Sequence, residues 1–245
     1  MDNLKFRQAC DKIIREERAR NSIGTLGEKT LHAVLKAYLE EDMNYHEIKV
    51  GGYYADICRA HDIIEIQTAG FNRLRDKLNA FLPDHRVTVV YPIPQIKYLS
   101  WIDEKSGEIT KRRKSPKETR PYAAFFELYK IKPQLRHPNL RIHLMMLELE
   151  EYRYLNGYSE DKKRGSSRCD RIPVNLLSEI HLDHVADYQK MIPDSLDRHF
   201  TVKDYQRVSG LSRSVAGTSL NVLYYLGAVK RTGKDGNAFI YDRSK

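Results

Sequence analysis

The residue types able to do chemistry are concentrated in one stretch, Asp56-Ile57-Cys58-Arg59-Ala60-His61-Asp62-Ile63-Ile64-Glu65-Ile66-Gln67. Side chains alternate across a strand, so Glu65 and Gln67 share one face while Ile64 and Ile66 share the other. Asp56 belongs to the preceding strand, on a face with Tyr54 and Cys58, while Ala55 and Ile57 point the other way. A turn near Ala60 brings Asp56 close to Glu65. The isoleucines then pack under a helix and the polar pair faces a cleft. Two neighbouring carboxylates repel unless a proton or a cation lies between them. A hard divalent cation such as Mg2+, with oxygen ligands at about 2.1 Å, removes that repulsion. It also polarises a phosphoryl oxygen and supplies hydroxide near neutral pH. Glu28, earlier in the chain, is a third carboxylate for the same ion, directly or through water.

Several elements must hold these residues in place. Residues 3–20 read as a charged amphipathic helix. Thr25 with Glu28 matches a capping box, and Leu26, Leu31, Val34, Leu35, Tyr38 and Leu39 continue at helical spacing to about residue 41. Three short runs of strand formers follow, 47–50, 53–59 and 61–68, with Gly51-Gly52 as a turn. Phe71, Leu74, Leu78, Phe81 and Leu82 return to helical spacing. Arg86 to Tyr91 reads as a buried strand that ends at Pro92. Adjacent strands imply hairpins and the strand-helix-strand passage implies a parallel crossover, which together give a mixed sheet with helices on its faces. Farther on, residues 96–113 read as an edge hairpin turning at Lys105-Ser106-Gly107, and 121–130 as a helix. The run 142–149 is strand or buried helix, 159–171 a polar loop, and 176–192 a helix.

This order of elements, with Asp56 on one strand and Glu65-Ile66-Gln67 on the next, resembles the PD-(D/E)XK nuclease superfamily over about residues 20–95. The resemblance implies a restriction-endonuclease-like central mixed sheet flanked by helices. It further implies Mg2+-dependent phosphodiester hydrolysis, with Mn2+ able to substitute, and Asp56 and Glu65 as metal ligands joined by Glu28. Two positions depart from the family pattern: Ala55 stands where proline is common, and Gln67 where the family usually carries lysine. A lysine there holds the attacking water and stabilises developing negative charge; an amide brings hydrogen bonds but no cation. Arg73 and Lys77, four apart on one face of the next helix, are the cations available to replace it.

The last residues follow another pattern. Thr201 to Ser209 reads as a helix that Gly210 stops, Ser212 caps a second helix running to Leu226, and two strands, Val229 to Thr232 and Ala238 to Tyr241, flank Gly233-Lys234-Asp235-Gly236-Asn237. This resembles the winged helix-turn-helix family over about residues 196–243. The resemblance implies DNA binding by Arg213, Ser214, Thr218 and Asn221 on the outer helix face and by Lys230, Arg231 and Lys234 in the wing. The expected organisation is a nuclease-like domain at 1–158, a linker and bridging helix at 159–195, and a winged-helix domain at 196–245.

Composition bounds these readings. The 245 residues include 42 Lys and Arg against 33 Asp and Glu, a formal charge of +9 that favours a polyanionic partner. With 41% hydrophobic and 31% charged residues the chain has material for a core and is not of the disordered class. No apolar run is long enough for a membrane helix, and the first residues lack the apolar segment of a secretory signal. Cys10, Cys58 and Cys169 are far apart, which points to a reducing, cytoplasmic setting rather than a disulfide scaffold. No phosphate-binding glycine motif calls for a nucleotide cofactor. His181 and His184, three apart with no cysteine nearby, do not make a zinc motif. The expected protein is a DNA endonuclease, a homodimer where both strands of a duplex are cut, with roles in restriction, defence or repair open. The alternative is an inactive nuclease fold that serves as a DNA-binding regulator.

Overall fold

Ile57, Ile63, Ile64 and Ile66 are β-branched, stiff at χ1 and suited to a pleated surface, and they build the first strands of a large mixed sheet flanked by helices. The computed structural model describes residues 2–20 and 30–244. Glu28 and the expected capping box at Thr25 lie outside the described residues. Helices α1 (Asn3–Arg20) and α2 (Thr30–Leu39) come first, then β1 (His46–Val50), β2 (Tyr53–Arg59) and β3 (Asp62–Ile66). A single 3-10 turn at Phe71–Leu74 runs into α3 (Arg75–Phe81), and β4 (Arg86–Ile102) follows. Next come β5 (Arg113–Lys114), α4 (Phe125–Leu128), β6 (Leu140–Tyr154) and β7 (Arg168–Leu182). The sheet order is β1-β2-β3-β4-β6-β7, with β5 paired to β4. β2 and β3 are antiparallel and β3 and β4 parallel, as a hairpin followed by a helical crossover requires.

Several sequence expectations are corrected. β4 does not end at Pro92 but continues to Ile102. Proline stops a strand only where the ladder needs its N–H; past Pro92 and Pro94 the carbonyls of Gln95 and Lys97 accept from the N–H groups of Thr119 and Ser115. The expected second arm at 108–112 reduces to a bridge between Ile102 and Ile109, and the paired strand is Arg113–Lys114. Residues 142–149 are strand, and 121–130 fold as short 3-10 and α turns. The helix expected at 176–192 is instead the second half of β7 followed by a 3-10 segment, Val185–Met191, and β7 starts inside the expected loop at Arg168. Leu176 and Ile180 fit a helical face, but Leu176, Ser178, Ile180 and Leu182 also alternate, and β6 alongside supplies the hydrogen-bonding partner that decides between them.

The chain forms two compact units of interleaved segments. The first comprises 1–46, 94–119 and 145–179. In it the Phe6 and Tyr38 rings meet edge to face at 5.3 Å, joining α1 to α2. The buried Glu151 carboxylate takes Arg153 at 2.6 Å, Lys97 at 3.4 Å and Arg168 at 3.5 Å. The second unit comprises 47–93, 120–144 and 180–245. It contains the carboxylate hairpin and the C-terminal elements β8 (His199–Phe200), α5 (Val202–Ser209), α6 (Arg213–Leu226), β9 (Val229–Asp235) and β10 (Ala238–Arg243). Thr201 caps α5 through a reciprocal bond with Asp204, Ser212 caps α6, and left-handed Gly210 and Gly227 close the two helices. The three last strands form a separate antiparallel sheet, β8-β10-β9. Among the described residues no helix is long and apolar enough to cross a membrane.

Candidate active site

β2 and β3 pair with Ile57 opposite Ile64, Cys58 opposite Ile63 and Arg59 opposite Asp62. The paired register ends at Ile57 and Ile64; Cys58 and Ile63 point to one side of the sheet, and by alternation so do Asp56, two before Cys58, and Glu65, two after Ile63, near enough that the Asp56 charge acts on the Glu65 carboxyl. The two carboxylates expected to share an ion are therefore neighbours on one face. Asp56 Oδ2 accepts the Ile66 N–H at 2.6 Å, which ties the acid to the adjoining strand. Lys77 Nζ donates to Glu65 Oε2 at 2.6 Å.

The surroundings of Glu65 differ from the expected cleft. Ala55, Ile57 and Ile66 on the opposite face are buried, but so is Ile63 on the same face as Glu65, and Glu65 itself is only 3% exposed. Helix α3, through Lys77, lies over the carboxylate side. Burial first, then the charge of Asp56, pushes the Glu65 carboxyl up to about 7, against the Lys77 ammonium, which favours the anion. Among the described residues Glu65 Oε1 is buried and has no hydrogen-bond partner. A carboxylate oxygen left without a partner beside a second carboxylate is what a hard, oxygen-seeking cation such as Mg2+ would satisfy.

The neighbouring residues divide by geometry. Of the two cations available from the helical segment, Lys77 is the one that reaches Glu65. Arg73 turns back to the chain: Gly70 has φ +73°, and a Cβ there would stand 2.9 Å from Arg73 Nη2. Gly70 thus serves both the left-handed backbone and the close approach of Arg73. Gln67 continues the sheet with its N–H on Val90 O at 2.9 Å, and its side-chain amide donates to the Ala69 carbonyl.

In the C-terminal elements Arg213, Ser214, Lys230, Arg231 and Lys234 are exposed, while Thr218 and Asn221 are half-buried. The Thr218 hydroxyl donates to Ser214 O at 3.0 Å, and Asn221 Oδ1 accepts from Lys132 Nζ at 3.0 Å. Lys132 and Arg136, absent from the residues singled out by sequence, both lie against the Tyr225 ring, at 5.0 and 4.3 Å. The signal available for them was the interleaving of aromatic and basic residues along 122–136. His181, set beside His184 on the helical assumption, instead stacks on His143 with ring centroids 4.1 Å apart.

The profile of a family described as Domain of unknown function (DUF8091) matches residues 29–183, and the chain belongs to that family. The matched span includes Asp56, Glu65, Gln67 and Lys77. An uncharacterized protein of Treponema pallidum (strain Nichols) is 32% identical over 219 residues, which cover 86% of this chain and 81% of that protein. No solved structure matches the chain.

Proposed function

We propose that this chain is a Mg2+-dependent DNA endonuclease of the PD-(D/E)XK type, with α5, α6 and the β9–β10 hairpin acting as a winged helix on DNA. The observation that carries the reading is the adjacency of Asp56 and Glu65 on one sheet face, with Lys77 on the second carboxylate. Asp56 and Glu65 would hold the ion, together with Glu28 from outside the described residues; Mn2+ would substitute. Held by these carboxylates, such an ion would supply Lewis-acid polarisation of a phosphoryl oxygen and a more acidic water. Lys77, beside Glu65, would bring the positive charge that Gln67 lacks and stabilise negative charge developing on phosphate. Gln67, its amide N–H donated to Ala69, keeps its carbonyl oxygen as the acceptor toward water. Phosphodiester hydrolysis by these groups needs no nucleotide cofactor and no membrane. Cutting both strands of a duplex calls for two such sites, hence a homodimer, and the free thiols suit a cytoplasmic protein acting in restriction, defence or repair.

A second reading, an inactive nuclease fold that regulates by binding DNA, is favoured by the engagement of Gln67 with Ala69. Incubation of purified protein with supercoiled plasmid and Mg2+ or Mn2+ separates the two. Nicking by the wild type that falls at least about 100-fold in Asp56→Ala and Glu65→Ala supports the enzyme. Metal-independent binding without nicking of any DNA form supports the regulator.

A further inference from the structure

In a DNA duplex the flat faces of the bases are stacked on one another, and a protein meets edges and phosphates; an unpaired strand offers the faces as well. The surface around α6 is built for faces. Tyr129 and Tyr224 are 47% and 43% exposed, and Phe126, one turn before Tyr129, is 55% exposed. Cations alternate with the rings. Lys132 Nζ stands 5.5 Å from the centre of the Tyr129 ring and 5.0 Å from that of Tyr225. On the other flank of the helix, Arg231 Cζ lies 4.4 Å from the Tyr224 ring. Neither Arg231 nor Lys132 has a carboxylate partner among the described ion pairs, so both keep their charge for a polyanion. Stacking surfaces interleaved with uncompensated cations match the alternation of bases and phosphates along a single strand.

The same geometry works against reading a duplex in the major groove. The group on α6 best suited to an adenine edge, the Asn221 amide, has its oxygen occupied by Lys132 at 3.0 Å. The Thr218 hydroxyl is turned back to Ser214 O. Two of the four side chains on the outer helix face are thus engaged within the protein.

We infer that the α4–α6 surface, with the β9–β10 hairpin, binds single-stranded DNA in preference to duplex, so that the substrate presents an unpaired segment such as a flap, gap or displaced strand. This rests on the DNA-binding reading of the C-terminal elements and narrows it. Fluorescence anisotropy of the full chain in EDTA tests it without any cleavage step. The probes are a labelled oligothymidylate of about 16 nucleotides, the duplex of the same length and the matching RNA strand. The single DNA strand is expected to bind at least about 10-fold more tightly than the duplex. Tyr129→Ala with Tyr224→Ala is expected to weaken single-strand binding roughly 10-fold or more and to leave duplex binding within about twofold. Tyr129→Phe with Tyr224→Phe keeps the rings and is expected to keep the affinity, which separates stacking from any effect on folding. Equal or tighter binding of duplex overturns the inference and leaves the DNA-binding reading standing, as does an alanine pair that binds the single strand like wild type. Tighter binding of RNA than of the DNA strand overturns the assignment to DNA. Binding of no nucleic acid overturns both readings.

Discussion

Glu65 holds its carboxyl where only 3% of the residue meets solvent, whereas Arg213, Lys230, Arg231 and Lys234 in the C-terminal elements of the same unit stand in water. The two regions handle charge under different physics. A charge in a dry place is costly to solvate, answers to protons and to one close partner, and is little screened. Charges in water cost the fold little, answer to ionic strength and act together on a polyanion. The hairpin therefore trades stability for a poised acid, and the C-terminal surface collects charge without that trade.

The largest effect expected from this contrast is on stability against pH. The folded state holds the Glu65 proton until about pH 7, whereas an ordinary glutamate releases it near 4.5. Between those values the folded state binds more protons than the unfolded one, so the contribution of Glu65 is fully present below pH 4.5, is lost as pH rises to 7, and is flat above. The loss is on the order of 3 kcal/mol. Urea unfolding in EDTA at pH 5 and pH 8, for wild type beside Glu65→Gln, measures it; the same pH response in both proteins would break the contrast. Next in size is Lys77→Met. It leaves a buried carboxylate without its cation and is expected to cost about 2 kcal/mol at pH 8, less than for a fully buried pair because 19% of the Lys77 side chain is exposed. At pH 5, with Glu65 protonated, the same substitution costs little, so a loss equal at both pH values would place its origin elsewhere. The smallest effect sharpens the other side of the comparison. Lys230→Gln or Lys234→Gln should each lower the slope of log affinity for DNA against log salt by about one and change stability by less than about 0.5 kcal/mol. A salt slope unmoved by both would remove the hairpin from the binding surface.

The hairpin and α6 were legible because their signals are local. Alternating isoleucines set the strands, and Ser212 with Gly227 marked both ends of α6 in sequence. Lys77 was one of two cations that helical spacing allowed, and the folding back of Arg73 onto Gly70 chose between them. The dryness of Glu65 was not legible, because alternation tells which residues share a face and not what lies over that face. β7 was not legible for a related reason: its apolar spacing satisfies two periods, and only the neighbouring strand decides. The cation-lined rings around α6 depend on the approach of residues 125–136 to a helix some 90 positions later, as in the bond from Lys132 to Asn221, and no local pattern announces such a meeting.

Arg231 lies between two rings, 4.4 Å from Tyr224 on α6 and 3.9 Å from Phe239 on β10. That guanidinium bridges the hairpin and the end of the helix. If the proposed strand of nucleic acid binds there, it meets a guanidinium already held between two rings, and less of the binding energy goes into stilling it.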